Sequence, residues 1–197
     1  ITRVDNDSLE FLAGGTSRLT PRQFLARIDI DIDRHPAELR QAGLISAEHP
    51  VSSAHGHRRL RELLRLLEPQ IIDQAQAEFT TLQRYFEEQG VVDQAEVAIV
   101  DLGWHGSLQW AIEKLIARIG SKTRTTGLYL GTFAPARRYA DKGMRMRGYL
   151  CANGLPTAMD RSIKLSVEII EWIFSAPHGS VRRFVTTPDG VQPLLAD

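Results

Sequence analysis

Three side chains in the chain have the chemistry to move protons or hold charge beside glycine-rich turns: Asp101, His105 and Glu171. Asp101 ends the apolar run Ala98-Ile99-Val100 and opens Asp101-Leu102-Gly103-Trp104-His105-Gly106-Ser107-Leu108-Gln109. A carboxylate at that point suits a metal ion or a sugar hydroxyl. An imidazole four residues on suits acid–base work or a hydrogen bond to phosphate. Gly103 and Gly106 let the backbone approach a ligand or adopt positive φ, Trp104 offers a ring to stack on, and Ser107 and Gln109 offer polar contacts. The loop runs into a helical pattern, and a helix N-terminus presents unpaired N–H groups and a positive dipole end, so an anion such as phosphate is the expected guest. A structural reading stands beside each of these: Asp101 as a turn cap, the glycines as turn residues, Trp104 as core and His105 as a half-buried histidine. The loop is neither a Walker A motif nor G-x-G-x-x-G.

Other groups follow the same logic. Glu168 and Glu171 share a helix face at i, i+3; Glu171 is the better functional candidate, because it abuts Ser175-Ala176-Pro177-His178-Gly179-Ser180. Arg84, Arg145 and Arg147 are candidate phosphate ligands or solvated charges. Tyr129 and Gly131, at the end of the next strand pattern, belong beside the loop if the two strands are parallel neighbours. His55 and His57 form an H-x-H pair without a third ligand at a recognised spacing, which favours a surface loop over Ser52 to His57. The alternating Ile28-Asp29-Ile30-Asp31-Ile32-Asp33 directly follows a capped helix and reads as a solvated connector rather than a carboxylate site.

The elements that position these residues divide the chain in two. Residues 1–95 read as a helical part. Thr20-Pro21-Arg22-Gln23 predicts a capping box that starts a helix burying Phe24, Leu25 and Ile28. Pro36 starts a second helix ending at Gly43. Leu60, Leu63, Leu64 and Leu67 form one stripe, Pro69 interrupts, and Ile71 or Ile72, Ala75, Phe79, Leu82 and Phe86 continue to Gly90. Residues 96–197 read as an α/β core, a Rossmann-like βαβ unit with a mostly parallel sheet. Val97–Val100 is of buried-strand type, Ser107–Ile119 a helix and Thr125–Leu130 a strand. Arg147–Leu150 adds a strand, Ile163–Phe174 an amphipathic helix, and Val181–Val185 with Val191–Leu194 a hairpin across Pro188-Asp189-Gly190.

Composition bounds the rest. The 197 residues are 43% hydrophobic, enough for a buried core, and 24 Lys plus Arg balance 24 Asp plus Glu, so no global charge recruits nucleic acid. The single cysteine, Cys151, excludes an internal disulfide framework and fits a small buried thiol in a reducing compartment. No apolar run approaches the roughly 18 residues of a spanning helix and no signal peptide is visible, which points to the cytoplasm. The chain starts at Ile1, as expected of a domain cut from a longer protein.

Four segments together, Arg84-Tyr85-Phe86 to Gly90, Val100 to Gln109, Gly127-Leu128-Tyr129-Leu130-Gly131-Thr132 and Glu171-Trp172-Ile173-Phe174-Ser175-Ala176-Pro177-His178-Gly179-Ser180, resemble a bacterial module. It accompanies a haloacid-dehalogenase-type phosphatase domain in proteins that build surface polysaccharide, O-antigen or capsule. D-x-G-W-x-G-S-x-Q is the most specific part, and the first eighty residues match only loosely. The resemblance implies glycosyl or phosphoribosyl transfer from a phosphorylated donor to a glycan acceptor, with a neighbouring phosphatase domain removing the remaining phosphate. It implies donor binding at Asp101 to Ser107 together with Arg84, Tyr129, Gly131 and His178, with Asp101, His105 and Glu171 as catalytic residues. Mg²⁺, with Asp101 as its ligand, would bridge donor phosphates. One departure is plain: the usual phosphoribosyltransferase loop has paired acids followed by Thr-Gly, whereas Asp101 stands alone. The competing expectation is a noncatalytic module that docks glycan or organises the phosphatase domain.

Overall fold

The computed structural model describes residues 19–152 and 157–196, a mixed α/β chain with seven α-helices and five strands among them. It divides into two compact units between Thr81 and Leu82.

The first unit is helical. Thr20 caps α1 (Pro21–Ala26) through a complete capping box: its hydroxyl accepts from the Gln23 amide while the Gln23 side chain accepts from the Thr20 amide. Phe24 and Leu25 are buried and Ile28 packs beside them. The Ile28–Asp33 segment is a connector, as its position after α1 predicts, but it is solvated on one side only. Ile30 and Ile32 are buried, Asp31 caps a 3₁₀ turn (Ile32–Arg34), and Asp33 takes a bidentate bond from Arg22. That pairing holds the Asp33 carboxyl below its usual range and, with a second pairing to Glu48, raises the Arg22 guanidinium. After α2 (Pro36–Gln41) the expectation of a loop over Ser52 to His57 fails. Ser53 accepts from the Gly56 amide at 3.0 Å, so α3 (Ala54–Leu66) starts there and takes His55 and His57 into its first turn. Leu60, Leu63, Leu64 and Leu67 are all buried, and α4 (Glu68–Glu88) restarts the chain at Pro69, which fits a first-turn position.

The second unit holds the sheet. β1 (Glu96–Asp101), β2 (Arg124–Tyr129) and β3 (Arg145–Gly148) are parallel and lie in chain order, with α5 (Ser107–Ile119) joining the first two. α6 (Arg137–Ala140) lies in the connection to β3. The register pairs Asp101 with Tyr129 and Tyr129 with Gly148, so these three residues define the carboxyl edge. The buried-strand expectation for Val97–Val100 needs correction: β1 is an edge strand of alternating exposure, and Val100 is 81% exposed. β3 also begins two residues before the expected Arg147. α7 (Thr157–Phe174) starts six residues before the expected Ile163; its stripe Ile163, Val167 and Ile170 packs on Trp104, Phe133 and Cys151. β4 (Val181–Thr187) and β5 (Gly190–Leu195) make a separate antiparallel hairpin closed through Pro188-Asp189. Among the described residues no helix is long and apolar enough to cross a membrane.

Candidate functional site

The loop that leaves β1 is shaped by its own acid. Asp101 Oδ1 accepts a 2.6 Å hydrogen bond from the Gly103 amide, which turns the chain sharply off the strand. A Cβ on Gly103 would lie 2.9 Å from both carboxylate oxygens, so a larger residue there would push the Asp101 carboxylate out of this turn. Gly106 then enters α5 with φ +74°, and a Cβ there would collide with the Met146 methyl. Because a glycine occupies the N-cap, the cap offers no side chain to the first-turn amides of α5. Those amides and the dipole end sit at the carboxyl edge of a parallel strand pair, where α/β sheets bind ligands. Ser107 is the first residue of that helix and half-buried.

Aromatic packing fixes the middle of the loop. Trp104 is buried, stacks on Phe133 with centroids 4.8 Å apart and planes 12° apart, and donates from Nε1 to Glu171 Oε1 at 3.2 Å. The Phe133 amide donates back to the Trp104 carbonyl. Gly131 is buried where a Cβ would meet the Cys151 sulfur and the Trp104 ring. His105 is exposed beside this stack, its ring 6.2 Å from that of Phe133.

Beneath the loop lies a buried polar network. Gln109, fully buried, accepts from the Tyr129 hydroxyl at 2.8 Å and donates to Thr125 Oγ1, Glu113 Oε1 and the Arg145 carbonyl. Gly127 makes room for it, since a Cβ there would strike the Gln109 and Tyr129 side chains. Burial, first, and the charges of Asp101 and Glu113 raise the Tyr129 phenol above its ordinary value, so it stays protonated and donates. Gln109 and Tyr129 therefore hold the first turn of α5 to β2 and β3, supporting the loop from below.

The structure thus gathers Asp101, Gly103, Trp104, His105, Gly106, Ser107, Gln109, Tyr129, Gly131 and Glu171 into one neighbourhood. Arg84 and His178 make their contacts elsewhere. Arg84 pairs with Glu88 at 2.8 Å, and Glu88 accepts from the Val191 amide of β5; that amide, first, and Arg84 hold the Glu88 carboxyl below its usual range. His178 is exposed before β4, with Nδ1 2.9 Å from the Gly179 carbonyl oxygen. Sequence reasoning missed Phe133, which lies in an irregular connection where no periodicity marks it. It also missed Lys164, whose ammonium lies 5.3 Å from the Phe133 ring centroid. A signal for Lys164 existed: it precedes Glu171 by seven residues, two helical turns on the same face. Among the described residues no group of three or more His, Cys, Asp or Glu is placed to hold a metal ion. Comparison with family models, curated proteins and solved structures finds no match.

Proposed function

We propose that the Asp101–Ser107 loop binds the phosphate of an activated sugar donor, and that the chain is a glycosyl- or phosphoribosyl-transfer domain of bacterial surface polysaccharide assembly. The observation that carries this reading is the start of α5 at the carboxyl edge of the sheet. There Gly106 caps the first-turn amides with no side chain of its own, beside an exposed imidazole and the Asp101 carboxylate. In this reading the parallel strands are the centre of a Rossmann-like core. His105 handles the proton of the acceptor hydroxyl, Asp101 holds Mg²⁺ or a sugar hydroxyl, and Glu171 fixes the loop through Trp104. Work on activated sugars belongs to the cytoplasm, and the glycan product would pass to a neighbouring haloacid-dehalogenase-type phosphatase domain.

A second reading, a noncatalytic glycan-docking or scaffolding module, draws on the loop's internal bonding: Asp101 and Trp104 both hold the loop itself. Two variants separate the readings. Asp101→Asn keeps an oxygen for the Gly103 amide while removing the charge, and His105→Ala removes an exposed ring. The transfer reading expects each to lower sugar transfer from phosphoribosyl pyrophosphate or a sugar nucleotide at least about tenfold, the order expected when acid–base or charge-stabilising groups are lost. Thermal unfolding should stay unchanged for His105→Ala. Transfer at the wild-type rate by both variants rejects the catalytic reading. A donor held at 100 times its dissociation constant should also stabilise the fold by about 2.7 kcal/mol; no stabilisation by any anionic donor favours the docking module.

A further inference from the structure

α7 and the parallel sheet each carry an apolar face left open by the described residues. On α7 the residues Leu165, Ile169, Trp172 and Ile173 form an outward stripe, with Trp172 78% exposed, while Ile163, Val167 and Ile170 pack inward on Trp104, Phe133 and Cys151. A helix that is apolar on both sides is ordinarily covered on both sides. The sheet shows the same imbalance. Thr125 and Tyr129 of β2 turn toward α5, where both bond to Gln109. The opposite face is open: the register sets Val100 beside Leu128 and Leu128 beside Arg147, and all three are exposed. Parallel sheets occur almost only with both faces covered, and the usual cover is a helix. The charges of the two faces are opposite. Glu168 lies three residues after Leu165 and four before Trp172, on the edge of the outward stripe. On the sheet face Arg145 is paired with Glu96, whereas neither Arg147 nor Glu168 makes an ion pair among the described residues.

We propose that two copies of this chain pair about a twofold axis, the outward stripe of α7 in each laid across the Val100–Leu128–Arg147 face of the other. Each surface supplies the element that the other lacks, a helix for the sheet and an apolar platform for the helix. Glu168 then meets Arg147 of the second copy, and the same contact is made twice, so the assembly closes at two chains. The area is of the right size. At about 100 Å² for a whole aliphatic side chain and about 200 Å² for tryptophan, the six apolar residues of the two faces leave roughly 500 Å² open. Interfaces are about 60% apolar, which implies a face of about 800 Å², the share that each partner gives to a stable complex. The pairing is independent of what the Asp101–Ser107 loop binds.

The test is sedimentation velocity of the whole 197-residue chain at concentrations up to about 100 μM, which brackets micromolar dissociation constants. The wild-type chain should sediment as a dimer that dissociates on dilution. Ile169→Glu and Val100→Glu each place a charge in one half of the contact and should raise the dissociation constant at least about tenfold. Both positions are exposed in the single chain, and circular dichroism melts should show the variants folded. Trp172→Glu and Leu128→Glu replace them if either is not. Glu168→Arg and Arg147→Glu should each weaken the dimer at least about tenfold, and the double variant, with the charges exchanged, should return to within about threefold of wild type. A wild-type chain that stays monomeric at about 100 μM overturns the proposal and leaves both faces to a different partner. A dimer unchanged by folded Val100→Glu and Leu128→Glu overturns it in favour of helix-on-helix pairing, and one unchanged by folded Ile169→Glu and Trp172→Glu excludes α7 altogether. Failure of the exchanged charges to restore pairing overturns the contact between Glu168 and Arg147, and with it the proposed arrangement.

Discussion

The two units of this chain bury different things. Among its described residues the helical unit buries apolar side chains: Phe24, Leu25, Leu60, Leu63, Leu64, Leu67 and Ile71 lie in one cluster, and polar groups stay outside in pairs such as Arg22–Asp33. The α/β unit buries Gln109 and Thr125 where they hold its sheet to α5, buries Thr132 beside Cys151, and leaves Val100, Leu165 and Trp172 exposed. A core of leucines needs only the right volume and periodicity. A buried amide needs every partner in place, because each unsatisfied group in a low-dielectric interior is costly. The polar core lies directly under the candidate loop, where it gives the first turn of α5 a single orientation. The difference separates a unit closed by apolar packing from one whose buried polar groups orient the loop that follows β1.

That contrast can be broken at either end. The largest effect expected is at Leu64, fully buried in the helical cluster: Leu64→Ala should cost about 2–5 kcal/mol by urea denaturation while leaving any ligand binding by the α/β unit intact. Gln109→Leu preserves bulk but deprives the Tyr129 hydroxyl of its acceptor, and should cost about 2–3 kcal/mol in the same measurement. Unlike Leu64→Ala, it should also weaken anion binding, because the first turn of α5 loses its tether. The smallest effect is a slope with pH. Burial keeps Tyr129 protonated in the fold, whereas in the unfolded chain the phenol ionises from about pH 10. This contribution to stability is therefore full below pH 10 and declines as pH rises from there toward the folded-state value. Thermal melts of Tyr129→Phe across pH 9–11 should lose that part of the decline.

Legibility from sequence follows the same division. The leucine stripe at Leu60, Leu63, Leu64 and Leu67 and the capping box at Thr20 and Gln23 are local patterns, and the structure realises both. The strand–loop–helix–strand order around Asp101 was equally readable, since short β-branched runs flanked by glycines mark it. What spacing could not supply was the facing of each element. Val97–Val100 reads as a strand of buried type, yet β1 sits at the sheet edge with Val100 open. α7 is apolar on two stripes, and nothing local says that Ile163, Val167 and Ile170 turn inward while Leu165, Ile169 and Trp172 turn outward. The internal use of Trp104, Gln109 and Tyr129 was hidden for a similar reason. Their partners Phe133, Glu171, Thr125 and Arg145 lie on other elements, and tertiary pairing has no local signature.

The central claim is that the first turn of α5 is an anion site, and amide chemical shifts read it most directly. In ¹⁵N-labelled chain titrated with phosphoribosyl pyrophosphate, the account predicts saturable shifts at the amides of Gly103, His105, Gly106, Ser107 and Leu108, with smaller changes at Phe133. Saturable shifts confined to other regions, with the amides of residues 103–108 unmoved, would contradict it.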